Sequence, residues 1–299
     1  MRAPDFLIVG AARSGTTALC RLLEQHPQLF LPAIKEPCFY IFANRKPDFR
    51  NGKFAFAITS EDKYKKLFSK APLTSQVGEA STPYLYLYDT AIANIRKYHP
   101  SPNTVKIVIL LRHPVDRAYS NYKWRVRDGR EPLSFEAALE AEQERRKAGY
   151  SFDYFYTDRS RYFEAVKSYT AAFPKVHVIL YDDFIGATEK TLEHLCEFLE
   201  VDSAFKFELV HDVNSSYTSR WPWLSRLLTT ESKLKFQLLY LLPSALRDRL
   251  RHRIMRWTQS EHKADVISPE TRTRLLRYFQ TDVEKLSELL QRDLSIWMR

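Results

Sequence analysis

Residues 6–19 read FLIVGAARSGTTAL, and how this stretch is understood decides the fold. The run Phe6–Val9 is short, continuous and apolar, the pattern of a strand buried on both faces. It stops at Gly10, small residues follow, and a helical pattern predicts a helix over Thr16–Gln25 that His26-Pro27 ends. Strand, glycine-bearing loop and helix together outline a phosphate-binding loop. Gly10 and Gly15 have the separation of a Walker A loop and Thr17 stands in its Ser/Thr slot, yet Thr16 occupies the place of the lysine. A nucleoside triphosphatase also needs an acidic residue after a second strand to help hold magnesium. The strongest second strand, Val105–Leu111 (VKIVILL), runs instead into Arg112. What remains still suits an anion. The amides of residues 13–17, the positive end of the helix, the charge of Arg13 and the hydroxyls of Ser14, Thr16 and Thr17 can all serve it.

Further strands are expected at Val176–Tyr181 and, more weakly, at Val77–Glu79. Helical patterns cover Val115–Trp124, Tyr162–Phe173, Thr188–Glu200 and Pro269–Arg292, and another helix opens at Ser134, a suitable N-cap. Alternating strands and helices predict an α/β fold, a P-loop-like parallel sheet flanked by helices on both faces. No Gly/Ser-rich or Pro-rich linker divides the 299 residues, so residues 1–299 read as a single domain. Its least regular part, about 215–263, is basic and rich in Trp and Leu. The bland reading of 220–256 is a solvated helical face. It is also open to serving as an acceptor-site wall through Trp221 and Trp223, or as a membrane-surface contact.

A formal net charge of +10 points to anionic partners without choosing among them. Cys20, Cys38 and Cys196 match no zinc or redox spacing, and so sparse a set fits a reducing compartment. Cys20 and Cys196 read as small buried apolar residues. No His/Cys/Asp cluster suggests a metal, so metal-independent chemistry is expected. Neither a signal peptide nor an uncharged stretch of membrane-spanning length is visible, and a cytoplasmic protein is expected.

A second anion site lies in RHPVDRAYS, residues 112–120. Arg112 falls at the carboxyl edge of the strong strand, where open α/β sheets bind ligands. Ser120, eight residues on, stands on the following helix and can turn back toward the same point. An arginine and a hydroxyl aimed at one spot suit a second phosphate; taken singly, each could be ordinary surface.

GAARSGTTAL and ILLRHPVDRAYSNY, in this order, resemble the sulfotransferases that use 3′-phosphoadenosine 5′-phosphosulfate (PAPS), in the branch of the heparan sulfate sulfotransferases and their bacterial relatives. The first resembles that family's 5′-phosphosulfate loop and the second its 3′-phosphate motif, with Arg112 and Ser120 at the matching positions. GEASTPYLY, residues 78–86, resembles the segment carrying the catalytic glutamate, which then falls on Glu79 as general base. Residues 262–297 resemble the closing segment of bacterial members. The resemblance implies PAPS as sulfuryl donor, adenosine 3′,5′-bisphosphate (PAP) as product, and a small-molecule or glycan acceptor rather than nucleic acid. It assigns Arg13, Ser14, Gly15, Thr16 and Thr17 to the 5′ side of the donor. Lys35, in KEPCFY, resembles a position near the transferred group, and Lys263, before the last helix, is a further candidate for the 3′-phosphate. Many members have lysine where this chain has Arg13; arginine keeps the charge and grips an oxyanion bidentately but does not readily give up a proton.

Two other readings compete. A P-loop nucleotide or small-molecule kinase would bind ATP with magnesium, and Thr16 and Arg112 speak against it. A non-catalytic anion- or membrane-surface-binding protein would use the bulk charge, which does not require two ordered anion motifs.

Overall fold

The computed structural model describes residues 2–51, 54, 56–209, 218–219, 259–260 and 267–299. Five strands, β1 (Phe6–Gly10), β2 (Leu29–Phe30), β3 (Gln76–Ala80), β4 (Lys106–Leu111) and β5 (Val176–Leu180), form one sheet in the order β2-β3-β1-β4-β5. Every pairing in it is parallel; Leu7 stands between Glu79 on β3 and Ile107 on β4. Parallel neighbours need crossovers, and the chain supplies helices for them. In chain order these are α1 (Thr16–Leu23), α2 (Phe39–Phe42), α3 (Glu61–Lys66), α4 (Pro83–Tyr86), α5 (Tyr88–Tyr98) and α6 (Pro114–Arg127). There follow α7 (Phe135–Glu140), α8 (Glu142–Lys147), α9 (Phe163–Ala172), α10 (Tyr181–Gly186), α11 (Thr188–Leu199) and α12 (Pro269–Leu290). Thr218–Ser219 and Gln259–Ser260 make a short antiparallel pair, β6 and β7.

The continuous apolar runs follow from burial on both faces. Leu7, Val9, Ile107, Ile109 and Leu111 enter one core, shared with α5, α9 and α12. Phe6, Ile8, Val108 and Leu110 enter the other, against Leu19 and Leu23 of α1 and Leu192, Leu195 and Leu199 of α11. Each such side chain contributes about 1.5–3 kcal/mol by leaving water. The expected P-loop-like sheet with helices on both faces is the observed architecture.

Ser134 accepts a bond from the Ala137 amide at 3.3 Å, as an N-cap should. Cys20 and Cys196 are buried as expected, and so is Cys38. β3 is one residue longer at each end than its weak pattern suggested, with Glu79 inside it. The closing helix α12 is tied to the rest by polar contacts. Asp282 accepts from the amides of Tyr162 (2.7 Å) and Phe163 (3.3 Å) at the start of α9. Arg272 pairs with Asp116 of α6 at 3.0 Å. The basic segment 220–256, with Trp221 and Trp223, and Lys263 lie outside the described residues.

Candidate active site

Between β1 and α1 the backbone takes conformations that only a few residues tolerate. Gly15 has φ +90° and Arg13, though not glycine, has φ +71°. Left-handed residues alternating with ordinary ones turn successive N–H groups toward one side, an anion-binding geometry. Helix α1 begins at Thr16 with no side-chain cap, so its first amides have no partner from a capping residue. An oxyanion is the ligand that would complete such a helix start.

Arg112 follows the last residue of β4, at the carboxyl edge of the sheet beside the β1–α1 loop. Its Nη1 donates to the carbonyl oxygen of Arg13 at 3.2 Å, and its guanidinium lies 4.7 Å from the centre of the Tyr181 ring. Ser120, on α6, accepts from Arg13 Nε at 3.3 Å. Arg13, Arg112 and Ser120 are therefore neighbours despite their distance in sequence. Loss of solvent around the Arg13 guanidinium, then the repulsion of Arg127 and Arg112, lower its pKa to about 10, which leaves it protonated at neutral pH.

One cavity of about 310 Å³ collects Arg13, Thr16, Thr17, Lys35, Glu36 and Thr82 on its walls. Glu36 also has a left-handed backbone, φ +61°. Its amide donates to the Ala80 carbonyl oxygen at 2.9 Å, which pins the 35–38 segment to the end of β3. Lys35 Nζ (3.1 Å) and Thr82 Oγ1 (2.9 Å) both donate to Glu36 Oε1. A residue held in a sparsely populated conformation and fixed from three sides marks a site where position matters.

Two of the expected site residues lie inward of the cavity wall. Glu79 is completely buried and is absent from the cavity wall. Its oxygens accept from Ser81 Oγ (2.5 Å) and Tyr64 OH (3.2 Å), and Ser81 Oγ in turn accepts from the Cys38 amide at 3.0 Å. Burial, only partly offset by these hydroxyls, pushes the Glu79 pKa up to about 7. This carboxyl has no surface open to solvent or to the cavity. Its place is under the loop that presents Lys35 and Glu36. Ser14 is also inward: its hydroxyl is buried with no hydrogen-bond partner, while Thr16 and Thr17 reach the cavity. The residue that sequence reasoning missed is Glu36, one position from Lys35. The only signal available was a carboxylate beside a lysine ahead of Pro37.

Among the described residues no group of three or more His, Cys, Asp and Glu could hold a metal ion, and no helix is long and apolar enough to cross a membrane.

Comparison with known proteins follows the same lines. The chain is similar over its whole length to the crystal structure of a sulfotransferase from Alicyclobacillus acidocaldarius. The two share 30% identity, the match covers 100% of each chain, and the TM-score is 0.75. A 136-residue stretch is 28% identical to the membrane-associated sulfotransferase kil1 of Dictyostelium discoideum; it covers 44% of this chain and 26% of that protein. The chain thus spans about a quarter of the length of that relative. The family model for the sulfotransferase domain matches residues 3–222, most of the chain and both anion motifs. The chain belongs to the sulfotransferase domain family.

Proposed function

We propose that the protein transfers a sulfuryl group from PAPS to the hydroxyl or amine of a small-molecule or glycan acceptor. One observation carries this reading. The anion loop, Lys35 and Glu36 meet on a single cavity, and Arg112 with Ser120 adjoins Arg13 beside it. Two separate anion positions suit a donor with a phosphosulfate at one end and a lone phosphate at the other. A kinase is not favoured, given the family and the missing lysine.

The donor supplies an activated sulfuryl group on its 5′-phosphate. Arg13, Thr16, Thr17 and the loop amides hold that phosphate and stabilise the charge it gains on leaving. Lys35, beside the same wall, shares this work. Arg112 and Ser120 hold the 3′-phosphate. Glu36 takes the acceptor's proton as the new sulfur–oxygen or sulfur–nitrogen bond forms and the bond to the leaving phosphate breaks, releasing PAP. The general base is thereby assigned to Glu36 and not to Glu79, because only Glu36 lines the cavity.

Calorimetric titration with PAP, beside ATP with and without magnesium, tests the donor assignment. Metal-free binding of PAP with much weaker binding of ATP is expected. Arg112→Ala should weaken PAP far more than adenosine 5′-monophosphate. A preference for ATP with magnesium would overturn the reading.

A further inference from the structure

The cavity has a basic wall that the donor does not use. Arg125, Arg130, Asp153 and Arg159 line it together with the rings of Phe54, Phe56 and Trp124. Asp153 Oδ1 accepts from Arg159 Nη1 at 2.8 Å, and its Oδ2 accepts from Arg125 Nη2. One carboxylate between two guanidiniums leaves a positive surplus, and Arg130 at the exposed rim adds to it. Arg125 is only 1% exposed, and its Nε and Nη1 have no hydrogen-bond partner. Buried donors left unmade are rare because they give up water for nothing. The residue itself lines the cavity, so its uncancelled charge acts on an anion placed against that wall.

Aromatic rings, beside the single carboxylate of Asp153, hold these guanidiniums in place. Arg125 lies 4.7 Å from the ring centre of Trp124 and 5.2 Å from that of Tyr154; Arg159 lies 5.1 Å from Phe152. Such stacking fixes the plane of the fork without cancelling its charge. The neighbouring Arg145, which also lies 5.2 Å from the Tyr154 ring centre, differs in its pairing with Glu131. That pair is one-to-one and bidentate, at 2.6 and 2.8 Å, and lies off the cavity wall, as a purely structural clasp would. Trp124 also carries Arg13, 5.8 Å from its ring centre, so the anion loop and the basic wall lie within one indole of each other.

We infer that this wall is the acceptor subsite for an anionic group. It rests on the sulfotransfer reading above and gives it a substrate class. The acceptor is a ring compound, sugar or aryl, that bears a carboxylate or sulfate ester besides the hydroxyl or amine to be sulfated. The ester or carboxylate pairs with Arg125, Arg159 and Arg130. The ring packs among Phe54, Phe56 and Trp124. One cavity holds both this wall and the anion loop, so a ring seated here lies against the phosphosulfate end of the donor.

The test uses 4-nitrophenyl β-D-glucuronide and 4-nitrophenyl β-D-glucoside, which differ by a carboxylate against a hydroxymethyl group. Full-length protein is first titrated with PAP, then with each glycoside, and the glycosides are also titrated without nucleotide. The glucuronide should bind at least tenfold more tightly. Arg159→Lys, which keeps the charge and loses the fork, should reduce that preference to less than threefold at unchanged PAP affinity. Arg130→Gln should do the same in part, and because Arg130 is exposed this variant does not threaten the fold. Equal binding of the two glycosides, binding of neither, or a preference that survives both substitutions would overturn the inference. Failure of PAP to bind, with the glucuronide preference intact, would count against the sulfotransfer reading and leave the anion subsite standing.

Discussion

The proposed general base and the buried carboxylate behind it are different glutamates. Glu36 lines the cavity beside Lys35 and the anion loop; Glu79 is completely buried beneath the loop that holds them. Glu36→Gln keeps the hydrogen-bond acceptor for Lys35 and Thr82 but cannot take a proton. Turnover should fall by about a thousandfold, within the range set by loss of general-base catalysis. PAP affinity should stay within about threefold of wild type, which calorimetry would check. Glu79 has a different signature, read in stability. Its folded pKa is about 7, raised from 4.5 by burial. Between those values the folded chain holds a proton that the unfolded chain has lost, so stability must fall as pH rises through that window. The full loss is on the order of 3 kcal/mol, at about 1.4 kcal/mol per pH unit. Urea unfolding at pH 5 and pH 8 should show that decline in wild type and a clearly flatter profile in Glu79→Gln. Parallel profiles would mean that Glu79 is charged throughout, with a partner that offsets its burial.

At the scale of elements, the site depends on how closely β1 and β3 approach. Gly78 on β3 is in register with Phe6 on β1, and a Cβ at Gly78 would collide with the Phe6 ring. The Phe6 side chain therefore lies across β3 just before Glu79. Beyond Glu79, Ala80 and Ser81 bind the amides of Glu36 and Cys38. A methyl group at Gly78 should push the strands apart and disturb that anchor. Gly78→Ala is expected to lose about 1–3 kcal/mol of stability, the usual cost of overpacking. Phe6→Leu in the same chain should return part of it, although alone it destabilises, since the shorter side chain makes room for the new methyl. A double-mutant cycle by denaturant unfolding would show this coupling. Additive losses would mean that the ring moves aside freely and that β3 is not fixed by it.

For the molecule as a whole, what the sequence revealed and what it hid have separable causes. β1, β4 and β5 were legible because strands buried on both faces read as unbroken apolar runs, and α1, α6, α9, α11 and α12 because they have room for a helical period. The four-residue helices α2 and α4 are shorter than that period can register. α5, with Ala91 and Ile95 buried, follows α4 after the single residue Leu87, so no turn or proline marks its start in the sequence. Arg13, Thr16, Thr17 and Arg112 could be singled out because they lie in the loop after β1, at the start of α1 and just after β4, and Ser120 by its spacing from Arg112 along α6. Glu36 and the Arg125–Asp153–Arg159 wall could not, because tertiary contact brings them together and no local spacing encodes it. The charge surplus belongs to this largest scale. A net charge of +10 on the chain should draw an anionic donor from a distance, in addition to the contacts that hold it once bound. The two effects separate kinetically. Raising salt shortens the Debye length from about 30 Å at 0.01 M to about 3 Å at 1 M, which removes steering and largely spares close contacts. Stopped-flow mixing with PAP, followed by tryptophan fluorescence, should therefore show the association rate falling at least fivefold between about 0.02 and 0.5 M salt, as long-range steering requires. Under the proposed donor site, with Arg13 and Arg112 in direct contact with the phosphates, the dissociation rate should change by less than about twofold over the same range. A flat association rate with a rising dissociation rate would reverse the assignment: the charge would then act only in contact, and the surplus would have to serve another partner.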